Sequence, residues 1–267
     1  MYREPKETMF NMKYAIMSDA HANPAALKKA YEDACGQGCE NFVFLGDATG
    51  YGYDAKGTVD FLRDNFDVVL MGNHDSVCVN AGIEDLGALN RNYDIDRAQR
   101  SELTDDDVKW LQSRDYRYDC GEFSCVHGDF SEPEEWNYIY ASMDVWCNLG
   151  LVDARVAFCG HTHHACVWEK VDKRKLCVKF DDPQYPLPLK PESLTTAIRK
   201  DRRYIVNCGS VGYPRVDLCS TYAIYNADTE RVSIRRLPFD FGGYVDGMLG
   251  AGIPLPHWLL EHNLRSK

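Results

Sequence analysis

The sequence has no hydrophobic run that approaches the roughly 20 apolar residues of a membrane-spanning helix. The residues before the first predicted strand also lack the apolar core of a secretory signal. A Cys-x-x-Cys pair is missing too, although the chain contains 11 cysteines, an odd number scattered along its length. Scattered thiols fit a reducing compartment better than a disulfide framework. We therefore expect a cytoplasmic protein that does not associate with membranes.

An excess of basic residues is missing as well. The chain has 30 lysines and arginines against 41 aspartates and glutamates, a formal net charge of −11 and a pI near 5.2. Proteins that bind long nucleic acids usually present a basic surface, so we expect no such partner. At 267 residues, of which 45% are hydrophobic, the chain can form one sizeable core. We expect a single domain over residues 1–267, and we leave the oligomeric state open.

Histidine is scarce, with eight residues in the whole chain, yet three of them lie in the stretch GHTHH at residues 160–164. Neutral imidazole is a common metal ligand, so this density raises the question of a metal site. His161 and His163 do not complete such a site by themselves. The remaining ligands would have to come from elsewhere in the chain.

Five short apolar runs are each followed by a polar cluster. YAIM precedes SDAH, FVFL precedes GDATGYG, VVLM precedes GNHD, FSCV precedes HGD and VAFC precedes GHTHH. Runs of about four apolar residues that end at Gly or Asp are typical of buried strands. Residues 24–38, with Asn23 as the N-cap, and residues 55–65 are predicted to be helices between strands. This alternation predicts an α/β fold whose early strands are largely parallel, so that the polar clusters converge at their carboxyl ends.

Two segments depart from this alternation. Residues 76–120 are predicted to be a helical excursion, in which Thr104 and Asp107 resemble a capping box. Residues 172–202 are charged and rich in proline, and we interpret them as a second excursion from the core. After them, YIVN, TYAIYN and RVSIRRL are predicted to be closing strands, which we expect to be antiparallel.

The polar clusters share residue types that bind metals, and in chain order they supply Asp19, His21, Asp47, Asn73, His74, Asp75, His127, His161 and His163. In an extended turn the side chains of residues i and i+2 point to the same side, so each closely spaced pair could reach one small volume. A mixed set of oxygen and nitrogen ligands without thiolate suits Mn, Fe or Zn better than Ca or Mg. The set exceeds the ligands of one tetrahedral zinc and indicates two metal ions that share a bridging carboxylate.

The motifs DAH, GD, GNHD, HG and GHTH, taken in this order, resemble those of the calcineurin-like metallophosphoesterase family. The resemblance runs from about residue 13 to about residue 225, and five ordered motifs are far more specific than any one alone. It implies central β-sheets, sandwich-like and of mixed parallel and antiparallel strands, flanked by helices. It also implies a dinuclear metal site at the carboxyl ends of the strands, holding two divalent or trivalent ions, with Mn, Fe or Zn expected.

Carried over position by position, the resemblance implies a role for each of these residues. Six positions match ligands of the two metals, which would be Asp19, His21 and His163 for the first and Asn73, His127 and His161 for the second. Asp47 would bridge both metals. His74 would lie over the substrate, steady the phosphoryl group and help to protonate the leaving oxygen, and Asp75 is expected to orient His74.

The second motif distinguishes two branches of the family. The protein serine/threonine phosphatase branch continues it with Asp-Arg-Gly, whereas this chain reads GDATGYGYDA without an arginine. GDATGYG and NCGSVGYPR instead resemble the small bacterial phosphodiesterase branch, although Cys208 and Tyr213 stand where that branch usually has proline and glutamine. Arg215 is a candidate contact to the substrate phosphate. Tyr51 and Tyr53 could line a pocket for a base or an aromatic leaving group.

The resulting expectation is a metal-dependent hydrolase that cleaves phosphoester bonds in small or nucleotide-type substrates by attack of a metal-bridging hydroxide. It would be either a phosphodiesterase or a phosphatase, and its partner would be a small-molecule phosphoester. Two alternatives remain, a serine/threonine-type protein phosphatase and a non-catalytic scaffold that uses the same fold. The complete set of ligand residues favours catalysis.

Overall fold

The computed structural model describes residues 12–80, 94–173, 175–179, 194–215 and 219–255. Within these ranges the strands and α-helices are, in chain order, β1 (Lys13–Met17), α1 (Pro24–Gly36), β2 (Asn41–Phe44), α2 (Ala55–Asn65), β3 (Val68–Val69), α3 (Asn73–Asn80), α4 (Asp94–Gln99), α5 (Asp105–Gln112), β4 (Arg117–Asp119), β5 (Phe123–Val126), α6 (Ser142–Leu149), β6 (Val156–Cys159), β7 (Cys166–Lys170), β8 (Leu176–Lys179), β9 (Leu194–Ala197), β10 (Arg203–Asn207), β11 (Cys219–Asn226), β12 (Arg231–Pro238) and α7 (Phe241–Gly250). A 3-10 turn, Pro133–Glu135, precedes α6. In the described ranges no helix is long and apolar enough to span a membrane.

The strands form two mixed six-stranded sheets, in the orders β3-β2-β1-β11-β12-β9 and β4-β5-β6-β10-β7-β8. β1 and β2 are parallel, as are β2 and β3 in the first sheet and β5 and β6 in the second. The expected parallel pairing of the early strands is therefore confirmed. Of the closing strands, β11 and β12 are antiparallel, but β10 runs parallel to β6 and antiparallel to β7. β10 therefore departs from the expected antiparallel arrangement, because it lies between β6 and β7 and pairs with both.

The predicted strand runs are buried on both faces, which explains why they are continuously apolar rather than alternating. In β1, Ile16 lies in a core between the two sheets that also contains Phe123 and Phe158. The neighbouring Met17 faces the opposite side, in a core shared with α1, α2 and α5. A third core lies between the second sheet and α6, where Val145 is fully buried. The expected α/β sandwich flanked by helices is thus confirmed.

Capping residues set the predicted helix starts. The side-chain oxygen of Asn23 accepts a hydrogen bond from the amide of Ala26 at 3.1 Å, and α1 begins at Pro24. At α5, Thr104 and Asp107 form the reciprocal capping box expected from their spacing. Ser, Thr, Asp and Asn at such positions satisfy amides that have no partner inside the helix.

The two predicted excursions contain parts of the sheets as well. In residues 76–120 the structure shows α4, α5 and then β4, while residues 81–93 lie outside the described ranges. In residues 172–202, β8 is an edge strand of the second sheet and β9 is an edge strand of the first. Residues 174 and 180–193 lie outside the described ranges. Edge strands tolerate charged residues because one side of the strand has no ladder partner, which is why composition alone favoured an excursion.

Candidate metal centre

Loops from both sheets meet where the strands end. The loop after β1 runs beside the loop after β2, and the amide of His21 donates to the carbonyl of Asp47 at 2.9 Å. In the second sheet, the amide of Gly160 donates to the carbonyl of His127 at 2.9 Å. The amide of His161 donates across the two sheets to Oδ2 of Asp19 at 3.1 Å. These bonds connect the carboxyl ends of β1, β2, β5 and β6 around one volume.

Five of the predicted ligands have left-handed backbones, with positive φ angles at Asp19 (58°), His21 (46°), Asp47 (61°), His161 (64°) and His163 (61°). The expected extended turn at the two i, i+2 pairs is therefore corrected. Left-handed residues reverse the chain sharply, and that brings the paired side chains together. Such conformations cost of order 1–2 kcal/mol each for non-glycine residues and persist where the surrounding structure enforces them. Such residues cluster at active sites and ligand-binding sites, so their concentration here makes this a candidate functional site.

All seven predicted ligands lie together, and each is buried. Ligand atoms of Asp19, His21 and His163 lie within 4.8 Å of one another, as do those of Asp47, His127 and His161. The side-chain oxygen of Asn73 lies 3.2 Å from Nε2 of His127. Oδ2 of Asp47 lies 3.2 Å from Nε2 of His127 and 3.7 Å from Nε2 of His21. One carboxylate oxygen is thus close to a histidine from each group.

The orientation of two histidine rings tests whether a metal ion fits. Nδ1 of His21 lies 3.0 Å from the carbonyl of Thr49, and Nδ1 of His163 lies 2.7 Å from the carbonyl of Tyr213. A carbonyl only accepts, so each Nδ1 carries the hydrogen, and in the neutral form of each ring Nε2 carries a lone pair. The two Nε2 atoms face each other at 3.1 Å. A cation held by both nitrogens turns this repulsion into attraction, and backbone carbonyls typically orient metal-binding histidines in this way.

The electrostatics of the cluster also favour a cation. Burial lowers the pKa of His21 and of His161 to about 3, so both rings are neutral and able to ligate. Burial alone would raise the pKa of Asp47, but neighbouring imidazoles, His127 first, hold it well below its ordinary value. Burial alone would lower the pKa of His127, but the charge of Asp47 raises it to about 9. The buried carboxylates therefore favour positive charge in this volume, and bound metal ions would supply it.

His74 lies beside the cluster, and the acid bonded to its ring is not the expected one. Its Nδ1 lies 2.7 Å from Oδ1 of Asp96, a fully buried residue of α4. The carboxylate of Asp75 instead accepts backbone amides, from Asp47 at 2.8 Å and from Thr49 at 3.0 Å. The prediction that Asp75 orients His74 is therefore corrected. The difference arises because Asp75 lies in the first turn of α3, where its carboxylate reaches the loop after β2.

Asp75 thus has a different part in the site. Its Oδ2 also accepts from the amide of Gly72 at 3.2 Å, so one carboxylate ties the loop after β2 to the loop after β3. Burial, with a further contribution from the charge of Asp47, raises the pKa of Asp75 to about 6. Asp75 holds the backbone of Asp47 in place, and Asp47 is the residue between the two groups.

Sequence reasoning missed the contribution of α4 entirely. Oε1 of Gln99 accepts from the amide of Gly50 at 2.7 Å, and its Nε2 donates to the carbonyl of Gly52 at 2.9 Å. Gln99 thus fastens α4 to the loop that carries Tyr51, while Asp96 connects the same helix to His74 on α3. The segment DIDRAQ carries no motif. An aspartate and a glutamine three residues apart on one helix face were the sole local signal.

Tyr51 and Arg215, the predicted substrate contacts, lie next to each other at the edge of the cluster. The ring of Tyr51 stacks on Tyr213 with a centroid separation of 4.6 Å and lies 4.5 Å from the ring of His74. Nη2 of Arg215 is 3.5 Å from the hydroxyl of Tyr51. Tyr213, which stands where the related branch usually has glutamine, is therefore the support on which Tyr51 rests. Tyr53 packs elsewhere, edge-on to Tyr244 at 6.0 Å.

Two mixed sheets with a buried cluster of aspartates and histidines at their strand ends define the metallophosphoesterase fold. The chain belongs to the calcineurin-like phosphoesterase superfamily, because the model of the Calcineurin-like phosphoesterase superfamily domain matches residues 12–230. This family consists of metal-dependent hydrolases of phosphoesters.

Similar proteins come from bacteria and archaea. An uncharacterised protein of Methanocaldococcus jannaschii is 25% identical over 260 residues, which cover 95% of this chain and 98% of that protein. The crystal structure of a metallophosphoesterase from Sphaerobacter thermophilus matches with a TM-score of 0.76 and 28% identity, covering 91% of this chain and 95% of that one. A hypothetical protein from Pyrococcus horikoshii matches with a TM-score of 0.67 and 15% identity, covering 93% of this chain and 96% of that one, and shows the same fold.

Proposed function

We propose that this protein hydrolyses small-molecule phosphoesters with two metal ions, of which Mn, Fe or Zn suit the ligands best. One ion would be held by Asp19, His21 and His163, the other by Asn73, His127 and His161, and both by Asp47. The position of Asp47 carries this proposal, because one carboxylate oxygen lies within 4 Å of a histidine in each group. A carboxylate between two such groups is what two ions about 3.5–4 Å apart require.

Bound metals would supply Lewis acidity that polarises the phosphoryl oxygens and lowers the pKa of a bound water. The side chains of the protein supply the rest. Asp96 holds Nδ1 of His74 at 2.7 Å and so orients the ring, whose Nε2 would deliver a proton to the leaving oxygen. Such a general acid contributes about 10²- to 10⁴-fold in rate. Arg215, beside Tyr51, would bind the non-reacting charge of the substrate.

The non-catalytic alternative receives no support from the geometry. A scaffold needs neither the buried set of candidate ligands nor the buried pair of His74 and Asp96 beside it. Both features cost stability in a protein that does not use them. The missing Asp-Arg-Gly group likewise speaks against a protein serine/threonine phosphatase.

The test is hydrolysis of a chromogenic phosphodiester beside its monoester analogue by metal-stripped protein, with Mn, Fe, Zn, Ni or Mg added back singly. We expect turnover to return with metal and to favour the diester. The Asp47→Asn variant serves as the control for contaminating enzymes and should stay inactive under every metal. Preference for the monoester would assign a phosphatase. Protein that binds two ions yet turns over neither ester would refute the proposed chemistry.

A further inference from the structure

Tyr138 lies beside the candidate metal centre, in the loop between the 3-10 turn and α6. Its ring is nearly parallel to the imidazole of His161, with a centroid separation of 4.2 Å and an interplanar angle of 14°. His161 belongs to one of the candidate ligand groups and is 9% exposed, whereas Tyr138 is 54% exposed. The tyrosine ring therefore covers a candidate ligand with one face and turns much of its remaining surface outward.

The loop that carries Tyr138 is anchored by the residues that directly follow it. The next residue, Ile139, is 4% exposed and packs in the core beneath α6. Oδ2 of Asp144 accepts from the amides of Tyr140 at 3.0 Å and Ala141 at 2.8 Å. The outward position of the Tyr138 ring therefore results from an anchored backbone, and the ring is available to a ligand without rearrangement of the loop.

Large exposed apolar side chains concentrate in this loop and in the first turn of α6. Among the residues that the structure describes, five such side chains are exposed, and three of them are Tyr138, Tyr140 and Met143. Single exposed apolar residues are ordinary, but a patch of them bordered by polar residues marks a binding surface. Aromatic rings in particular provide a large contact area at a small entropic cost.

The charges around Tyr138 restrict what it would bind. Glu132, Glu134 and Glu135 lie a few residues before it, in and beside the 3-10 turn, and they disfavour a second anionic group on this side. The candidate cation for such a group, Arg215, lies beside Tyr51 instead. A quaternary ammonium is bound by several rings that surround it, whereas His161 lies parallel beneath Tyr138 and forms no wall. A neutral planar ring fits this arrangement best.

We propose that Tyr138 is a stacking platform for an aromatic ring of the substrate, a nucleobase or an aryl group, which would make the substrate an aromatic phosphoester. The proposal deepens the function proposed above and rests on it for the reaction. The ring would lie on the outward face of Tyr138 while its phosphate reaches the cluster beside His161. Stacking of this kind tolerates different bases, because every base offers a π-face.

The kinetic test compares two esters that differ by the base alone, adenosine 5′-(methyl phosphate) and ribose 5-(methyl phosphate), with methanol release measured in metal-loaded protein. For Tyr138→Ala we expect kcat/KM to fall about 10-fold for the nucleoside ester, mainly through KM, and to change little for the ribose ester. Tyr138→Phe keeps the ring and should behave as wild type. Leu151→Ala is the matched control, since this side chain is also large, apolar and exposed (46%) but lies after α6, outside the loop that carries Tyr138, and it should change kcat/KM for neither ester.

An equal loss on both esters would mean that Tyr138 only positions His161, and no loss would mean that the ring binds nothing; either result overturns the platform. Methyl p-nitrophenyl phosphate distinguishes the two sources of the ring. If Tyr138→Ala lowers kcat/KM for this ester as well, the platform accepts aryl groups, and if it does not, the platform is selective for bases.

Calorimetry separates the platform from the proposed hydrolysis. AMP, ribose 5-phosphate and choline phosphate would be titrated into the metal-loaded wild type and Tyr138→Ala. We expect the variant to lose about 10-fold in affinity for AMP and little for ribose 5-phosphate. This result in protein that hydrolyses no ester would keep the platform and refute the hydrolysis. Unchanged AMP binding, absent AMP binding in the wild type, or a larger loss for choline phosphate than for AMP would overturn the platform.

Discussion

Nδ1 of His74 lies 2.7 Å from Oδ1 of Asp96, although 22 positions separate the two residues in the chain. Both side chains are buried, at 4% and 0% exposure, so water does not compete for this hydrogen bond. The carboxylate fixes the tautomer and the orientation of the ring. His74 is thereby held beside Asp47 by a helix that contributes no candidate metal ligand.

The Asp96→Asn variant tests this pairing. The amide has similar volume but no negative charge, so it supports the ring less well during proton transfer. We expect kcat to fall about 10- to 100-fold with KM little changed, the usual scale for residues that orient a catalytic group. Metal content, measured by mass spectrometry, should stay at the wild-type value. Asp105→Asn, at an exposed position of α5, is the matched control. Loss of metal together with activity would contradict a role through His74.

The His74→Ala variant should reveal a general acid through its dependence on the leaving group. With an alkyl ester, whose leaving oxygen needs a proton, we expect kcat to fall about 10²- to 10⁴-fold. With a p-nitrophenyl ester the loss should be much smaller, because this leaving group departs without protonation. His164→Ala is the control, since His164 belongs to none of the candidate ligand groups. Equal losses on both esters would assign His74 to substrate binding instead.

Asp47→Asn should separate metal binding from folding. The wild type is expected to bind two ions per chain, and its melting temperature should rise with metal because ligands that bind the native state stabilise it. The variant should bind fewer ions, and metal should raise its melting temperature less. Circular dichroism of the metal-stripped proteins should be the same. Asp64→Asn, at an exposed position of α2, controls for the loss of one charge. Unchanged metal content in Asp47→Asn would refute the bridging position.

Gly72→Ala tests how tightly the site backbone is packed. A Cβ atom at Gly72 would overlap both Oδ1 and the amide nitrogen of Asp47. Because a buried backbone atom cannot move aside easily, we expect destabilisation of about 1–3 kcal/mol together with reduced metal binding. Gly36→Ala makes the same chemical change at the end of α1, where a Cβ would meet nothing within 4 Å. This control should keep or slightly raise the free energy of unfolding in urea. Equal behaviour of the two variants would exclude tight packing at Gly72.

An ion pair far from the site should make stability depend on pH. Asp33 on α1 accepts from Nη2 of Arg235 at 2.8 Å and from the hydroxyl of Tyr222 at 2.6 Å. Burial by itself would raise the pKa of Asp33, but these hydrogen bonds, that of Arg235 first, hold it below its ordinary value. A lowered folded pKa means that the stabilisation is complete above the unfolded pKa of about 3.9 and is lost as the pH falls through the folded pKa.

Asp33→Asn should therefore lower the free energy of unfolding by about 1 kcal/mol near neutral pH. The difference from the wild type should shrink as the pH falls below about 4, where the carboxyl of the unfolded chain becomes protonated, and should be lost once the pH is below the lowered pKa of the folded state. Urea unfolding of metal-stripped protein at several pH values measures this. Asp60→Asn, in a half-exposed i, i+4 pair with Lys56, is the control and should change stability less. A difference that is constant across the whole range would exclude the ion pair as its source.

The parts of the fold and of the site that could be predicted are those that short stretches of sequence encode locally. Apolar runs such as VAFC are buried on both faces, so their composition alone indicated strands. Each candidate metal ligand follows directly after such a run or within a few residues, so the order of motifs was enough to predict that His21, His127 and His163 meet. The helix starts at Asn23 and Thr104 were likewise local.

The contacts between segments that are distant in the chain were decided by the tertiary structure alone. The hydrogen bond of Asp96 to His74, the stacking of Tyr51 on Tyr213 and the stacking of Tyr138 on His161 have no local pattern. The sequence by itself thus determined the residue types of the site, because strand ends place their side chains by a simple rule. It did not determine which acid orients His74 or which rings border the cluster, because those contacts arise when separate loops and helices pack against one another.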